Sequence, residues 1–316
     1  MLTAIGLFVL GLALLALGGD SLVKGASGLA QRLGASPFVA GLVLVAFATS
    51  LPELAVNARA VFAGEPALAL GNAVGSNIAN VGLTLGAAAL AAPLVVRWRA
   101  LAPLLLVLLL ATLAVIGFGW DGQLSRGEGG LLLAGFVGVL VFALVRARDE
   151  RPGVIDALQA FAATRGGLGL HVVRLVVAAG LLYYGAGLVV GAAPRIGMAL
   201  GMESLVTGLL VVAIGTALPE MAAAVAAARR GQGDIVAGHV IGSCLFNLLV
   251  VIGGMAVVGG VPAPASFVRF ELPVAFLFAL LLVPLLRGGT TVSRLEGALL
   301  LAALLAWVGI ELAMLG

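Results

Sequence analysis

The sequence predicts an all-α polytopic membrane protein: ten transmembrane helices arranged as two inverted five-helix repeats. Three observations predict it. Hydrophobic residues make up 62% of the 316 positions and charged residues only 10%, against about 25% charged in soluble domains, and the mean hydropathy is +1.24. The apolar runs are long and unbroken, as in LAPLLLVLLLATLAVIGFG, which suits helices needing about 20 residues to cross a bilayer and not the alternating pattern of a membrane barrel. Finally, one polar pattern occurs twice. GLVLVAFATSLPEL (Gly41 to Leu54) and GNAVGSNIAN (Gly71 to Asn80) return as GLLVVAIGTALPEM (Gly208 to Met221) and GHVIGSCLFN (Gly238 to Asn247). Glu53 and Glu220 stand 167 residues apart, and so do Ser76 and Ser243.

The first span is expected at 2–19, apolar from Leu2 and without the basic leader of a signal peptide. The second, 36–62, carries the first polar block, and the third, 67–90, carries its GSN partner. The leucine-rich runs at 100–119 and 129–147 complete the first half. The longest polar stretch, Arg146 to Gly167, follows as a linker. The second half repeats the order with spans at 169–191, 202–228, 234–259, 270–286 and 295–314. The domain division is therefore 1–147, a cytoplasmic linker at 148–168, and 169–316.

Orientation follows from the basic residues, which accumulate in cytoplasmic loops. With the N-terminus outside, 13 of the 17 Lys and Arg fall on the cytoplasmic side, and only Arg59, Arg126, Arg195 and Arg269 on the outer side. The expectation is a multi-pass protein of the cell (inner) membrane with both termini outside. Five spans per half then set the two copies upside down relative to each other, an arrangement that recurs in transporters with a midplane site between the repeats. The net charge of +3 lies mostly in short loops and does not point to nucleic acid. The single cysteine, Cys244, excludes an intramolecular disulfide.

Each polar block places a carboxylate where lipid-spanning helices tolerate few, at about 2.5–3.5 kcal/mol even on the lenient insertion scale. In Thr49-Ser50-Leu51-Pro52-Glu53 and Thr216-Ala217-Leu218-Pro219-Glu220, the proline removes a backbone donor and loosens the carbonyl four residues earlier. Carbonyls of Ala46, Thr49, Ala213 and Thr216 are expected to turn away from the helix ladder. Carbonyl, hydroxyl and carboxylate oxygens together make a site for a hard cation. Ser76 with Asn80, and Ser243 with Asn247, lie four residues apart and so share a helix face. Gly71, Gly75, Gly238 and Gly242 allow helices to approach closely around them. Two carboxylates are neutralised by one Ca²⁺, two Na⁺ or two protons.

At these residues the chain resembles the sodium/calcium exchanger family, whose two inverted α-repeats carry G-T-S-x-P-E and G-S-N-x-x-N/D signatures. Here they read ATSLPE with GSNIAN, and GTALPE with GSCLFN. The resemblance implies antiport by alternating access, with Na⁺ entry driving Ca²⁺ out, usually three to one. It implies that Glu53, Glu220 and the backbone oxygens of Thr49 and Thr216 hold Ca²⁺. Ala46, Ser50, Ser76, Ala213 and Ser243 would join the Na⁺ sites, Asn80 and Asn247 would line the centre, and the first and sixth spans would slide to switch access. Departures are Ala217 in place of Ser, Asn247 where some members place Asp, Ala48 in place of Gly, and His239 and Cys244 where the first copy has Asn72 and Asn77. Asn247 speaks against K⁺ coupling.

An H⁺/Ca²⁺ antiporter is the alternative within the same fold, favoured by Ala217 and His239. A channel or an intramembrane acid protease built on the two carboxylates fits less well, given the duplicated layout and the Thr, Ser and Asn neighbours. The transported ions and the bilayer are the expected partners; no cofactor and no obligatory protein partner is expected. Elsewhere, Asp20 and Lys24 read as a local ion pair, His239 as a packing histidine, Cys244 as a small apolar filler, and Glu311 as a residue near the outer interface.

Overall fold

The computed structural model describes residues 1–32, 50–146, 166–287 and 291–315. Among these the fold is helical, with two short strand pairs. In the first half, α1 is Leu2–Arg32, α2 is Leu51–Phe62 in its described part, α3 is Pro66–Ala91, α4 is Trp98–Phe118 and α5 is Arg126–Arg146. In the second half, α6 is Leu168–Ala199, α7 is Ser204–Arg229, α8 is Gly233–Gly259, α9 runs from Phe267 to Arg287 and α10 is Arg294–Ala313. Nine helices among the described residues are long and apolar enough to cross a membrane. The first part of the expected span 36–62 lies outside the described residues.

The strands prove the inversion. β1 (Leu94–Val95) pairs antiparallel with β4 (Thr291–Val292), and β2 (Gln123–Leu124) pairs antiparallel with β3 (Val261–Pro262). Shifting β1 by the repeat step gives β3, so the two ribbons are counterparts of each other. Yet β1 follows the ends of α3 while β2 follows α4, so they lie on opposite faces of the bundle. The β1–β4 face also receives the ends of α5 and α7 and is called the linker face. The β2–β3 face is the termini face, where α1 begins and α10 ends. Each face has its own cross-repeat tie. On the linker face, Arg97 donates through its backbone N and Nε to the two Asp234 oxygens at 2.7 Å each, at the first turn of α8. On the termini face the Ser204 hydroxyl donates to Glu65 Oε2 at 2.8 Å.

Two helices outrun their expected spans. α1 has 31 residues against an expected 2–19, and α6 has 32 against 169–191. The polar residues that suggested an end are accommodated on the helix itself: Lys24 Nζ reaches Asp20 Oδ2 at 2.6 Å one turn away, and Arg195 Nε donates to the Gly191 carbonyl at 3.1 Å. At 1.5 Å per residue each helix is about 46–48 Å long, beyond the ~30 Å hydrocarbon core, so these two tilt or protrude. They pack antiparallel as a peripheral pair. A Cβ on Gly11 would lie 2.9 Å from the Gly185 carbonyl oxygen, and one on Gly185 would lie 3.0 Å from that of Gly11. Only glycine allows that approach.

The centre belongs to the helices carrying the polar blocks. The most apolar windows of α3 and α8 are each 83% buried, against 17–50% for the other seven spans. α3 crosses α7 closely: a Cβ on Gly71 would fall on the Leu205 carbonyl, and one on Gly75 would lie 2.5 Å from that of Leu209. α4, α5, α9 and α10 brace this core, α4 against α9 and α8, α5 against α8, and α10 against α3. Both central helices widen into a π turn at the same point of the repeat, Asn80–Leu85 in α3 and Asn247–Ile252 in α8. π turns often mark functional positions because they redirect side chains and free carbonyls.

Candidate functional site between the repeats

The repeated blocks meet where α2, α3, α7 and α8 converge. Ser50, just before α2, places its Oγ 2.8 Å from the Ser243 Oγ of α8. Asn80 of α3 donates from Nδ2 to the same Ser243 Oγ at 2.9 Å. Asn247 of α8 donates to Asn77 Oδ1 of α3 at 3.0 Å, and Asn77 donates onward to the Cys244 carbonyl at 3.2 Å. The Cys244 thiol points back to the Asn77 carbonyl at 3.7 Å. Asn77 and Cys244 are separated by the repeat step of 167, so this reciprocal contact lies on the pseudo-twofold axis.

Both carboxylates face this centre from opposite repeats. Glu53 is 2% exposed and Glu220 8%. They line one cavity together with Thr216. Thr216 stands beside Glu53 and Asn80 beside Glu220. Among the described residues neither acid has a Lys or Arg partner. The oxygens around them are unsatisfied: Glu53 Oε2, Glu220 Oε1, Ser76 Oγ, Asn80 Oδ1 and Asn247 Oδ1 are buried without a hydrogen-bond partner. Native interiors leave few such atoms, because each costs about 1–3 kcal/mol. Five at one place, all oxygens, beside two uncompensated carboxylates, form a cage suited to a hard cation that prefers oxygen ligands.

The cavity, about 250 Å³, extends from Glu53, Thr216 and Glu220 past Pro219 and Ala223 of α7 and along Leu12, Leu15, Gly19, Asp20 and Val23 of α1. Asp20, Val23 and Ala223 lie on the linker-face side of the two carboxylates, and Leu12 and Leu15 on the termini-face side.

The expected residues are thus distributed as follows. Glu53, Ser50, Ser76, Asn80, Thr216, Glu220, Ser243 and Asn247 come together at the centre. Ala46 and Thr49 lie outside the described residues. The expected unwinding at Ala213 and Thr216 is corrected: Ala213–Arg229 is continuous α-helix through Pro219, and the Ala213 carbonyl accepts the Thr216 hydroxyl at 3.2 Å. The irregular turn is one turn earlier, the π segment Thr207–Val212.

Three further residues complete the picture. His239, expected to be a packing histidine, is buried, with its Nε2 3.8 Å from Glu220 Oε2. Glu311, expected near the outer interface, sits two residues before the end of α10 at the termini face, and its side chain is buried (1% exposed) and accepts the Trp307 indole N–H at 3.0 Å. Asn77 was not singled out, although it sits inside GSN at the repeat step from Cys244, a signal the sequence did contain. Cys244 is buried as expected, and the Asp20–Lys24 pair forms as expected.

Comparison with known proteins adds a third line. The sequence profile described as "Sodium/calcium exchanger protein" matches residues 3–145 and again 170–312. The inner membrane protein YrbG of Escherichia coli (strain K12) is 36% identical over 317 residues, covering 98% of this chain and 96% of that protein. The sodium/calcium exchanger MaX1 of Methanosarcina acetivorans is 30% identical over 337 residues, covering 96% of each. Among solved structures, the sodium-calcium exchanger NCX_Mj soaked with 2.5 mM Na⁺ and 10 mM Sr²⁺ superposes with a TM-score of 0.67 at 31% identity, covering 98% of both chains.

Proposed function

Because this chain belongs to the sodium/calcium exchanger protein family, a family of membrane cation exchangers, we propose that it is a secondary antiporter exchanging Na⁺ for Ca²⁺ by alternating access. Ca²⁺ binds between Glu53 and Glu220, with oxygens of Thr49 and Thr216 completing its shell. Na⁺ ions take the same carboxylates together with Ala46, Ser50, Ser76, Ala213 and Ser243. Asn80 and Asn247 line the centre. The observation that carries the reading is the set of buried oxygens lacking hydrogen-bond donors around two carboxylates that pair with no Lys or Arg among the described residues.

The physics of coupling follows from that charge. Two facing carboxylates in a low-dielectric interior are costly when both are ionised and bare. The empty site therefore resists reorientation, and the site loaded with one Ca²⁺ or with Na⁺ does not. That difference makes exchange obligatory. The linker face is cytoplasmic on this reading, since basic residues accumulate there, and the cell membrane, where YrbG is named as resident in its own organism, is the proposed location. The peripheral pair α1 and α6 moves over the α2–α3–α7–α8 core to switch access. The present conformation, with its cavity leading past Asp20, is the one open towards the cytoplasm.

The test is ⁴⁵Ca²⁺ uptake into proteoliposomes with Na⁺ and pH gradients imposed separately. Uptake driven by a Na⁺ gradient and indifferent to pH gradients is expected. Uptake driven by pH alone would favour H⁺/Ca²⁺ exchange instead. Two observations keep that second reading in view: Ala217 supplies no hydroxyl where the first copy has Ser50, and His239 stands 3.8 Å from Glu220.

A further inference from the structure

Asn57 and Asn72 are fully buried, and neither belongs to the repeated motif's ligand set. Asn72 Nδ2 donates to Asn57 Oδ1 at 3.0 Å. That single bond leaves Asn57 Nδ2 and Asn72 Oδ1 without partners. The two ends of a side-chain amide are interchangeable by rotation, but turning both amides around still leaves one free donor and one free acceptor. A pair serving only to hold α2 against α3 would gain nothing from an unsatisfied oxygen inside the protein.

The position of the pair gives it a direction. Asn57 is one helical turn beyond Glu53 on α2, and Asn72 is one turn from Ser76 on α3, so each faces the same way as its neighbour. Both steps lead from the centre towards the termini face. The Ser76 hydroxyl is itself unsatisfied, so free oxygens continue outward from Glu53 through Ser76 to the amide pair. The other repeat is different. Its counterparts of Asn57 and Asn72 are Ala224 and His239, and its half of the path opens into the cavity lined by Asp20, Val23 and Ala223. Helix packing shows the same asymmetry: α6 lies against α2, whereas the equivalent contact between α1 and α7 is sparse. The termini-side half is closed here, and the amide pair is buried within it.

We propose that Asn57 and Asn72 form an auxiliary cation subsite on the termini-side half of the ion path. The subsite offers one amide oxygen to a cation passing between Glu53 and the solution on that face when α6 moves away. The subsite rests on the exchange reading given above and adds to it a side-specific binding step that the repeat symmetry would not supply. The ion is a hard monovalent or divalent cation that has shed part of its water.

The test uses Asn72→Ala and Asn57→Ala in proteoliposomes of defined orientation, with half-saturating Na⁺ and Ca²⁺ measured separately from each face. The value at the termini face is expected to rise roughly three- to tenfold, the effect of losing one amide ligand. The value at the linker face should stay as in the wild type, which also reports correct folding. If an alanine variant does not fold, Asn72→Gln, which keeps an amide but displaces it, carries the same expectation. Equal weakening at both faces, or no change at either, would overturn the subsite. A wild-type protein devoid of cation exchange would overturn the exchange reading itself.

Discussion

Replacing Glu53 or Glu220 by Gln removes one carboxylate from a buried centre that has no Lys or Arg partner among the described residues, and leaves the shape almost unchanged. Truncating one member of a buried charged interaction costs about 2–5 kcal/mol. Each variant should therefore bind Ca²⁺ at least about 30-fold more weakly by equilibrium dialysis, with thermal stability kept or raised, because the repulsion between the two acids is relieved. Ala217→Ser tests the other departure. Ala217 is buried (1% exposed) next to Thr216, and a hydroxyl there would add a ligand where the first copy has Ser50. If Na⁺ drives transport, the variant should lower half-saturating Na⁺ by roughly two- to tenfold, about what one neutral hydrogen-bonding oxygen contributes. At residue scale, the motif chemistry was legible from the sequence: carboxylate, hydroxyl and amide recur at one step. The side of each helix facing a neighbour was not. The placement of His239 beside Glu220, and of Glu311 beneath Trp307, depends on which helices are adjacent.

Close helix crossings dominate at the scale of elements. α3 and α7 approach through glycine, and Gly75 has the Leu209 carbonyl 2.5 Å from where a Cβ would stand. Gly75→Ala should lower the melting temperature in detergent, in line with the ~1–3 kcal/mol typical of overpacking. The backbone carbonyl cannot yield as a flexible side chain could. Gly6 on α1 has open space around it, so Gly6→Ala is the matched control and should leave stability unchanged. Helix ends were legible to within a few residues where apolar runs stop at charged turns, as in α4, α5 and α8. They were misjudged for α1 and α6, because the charged residues are accommodated on the helix surface, Lys24 by Asp20 one turn away and Arg195 by the Gly191 carbonyl, and leave no reason to stop. The π turns at Asn80 and Asn247 have no composition signature.

For the whole molecule, the asymmetry between two chemically similar halves sets the conformation. The cavity leading past Val23 and Ala223 predicts a labelling pattern. In a Cys244→Ser background, Ala223→Cys should react with a membrane-impermeant thiol reagent applied from the linker face and be protected from the termini face. Saturating Ca²⁺ should slow the reaction by closing the site. Labelling only from the termini face would invert the proposed orientation.

The sequence by itself determined the class, the duplication, the inversion and the identity of the two central acids. Each of these is written in composition, in charge distribution or in a constant step, and none needs knowledge of a contact. Tertiary structure alone decided which oxygens stay unsatisfied, where Asn77 meets Cys244, and which helices line the cavity beside the two acids. Those properties depend on differences of a few ångströms between helices that could pack in more than one way. Two repeats with nearly the same pattern leave these contacts open, and the packing of α1 and α6 together, and of α6 against α2, is asymmetric between the halves.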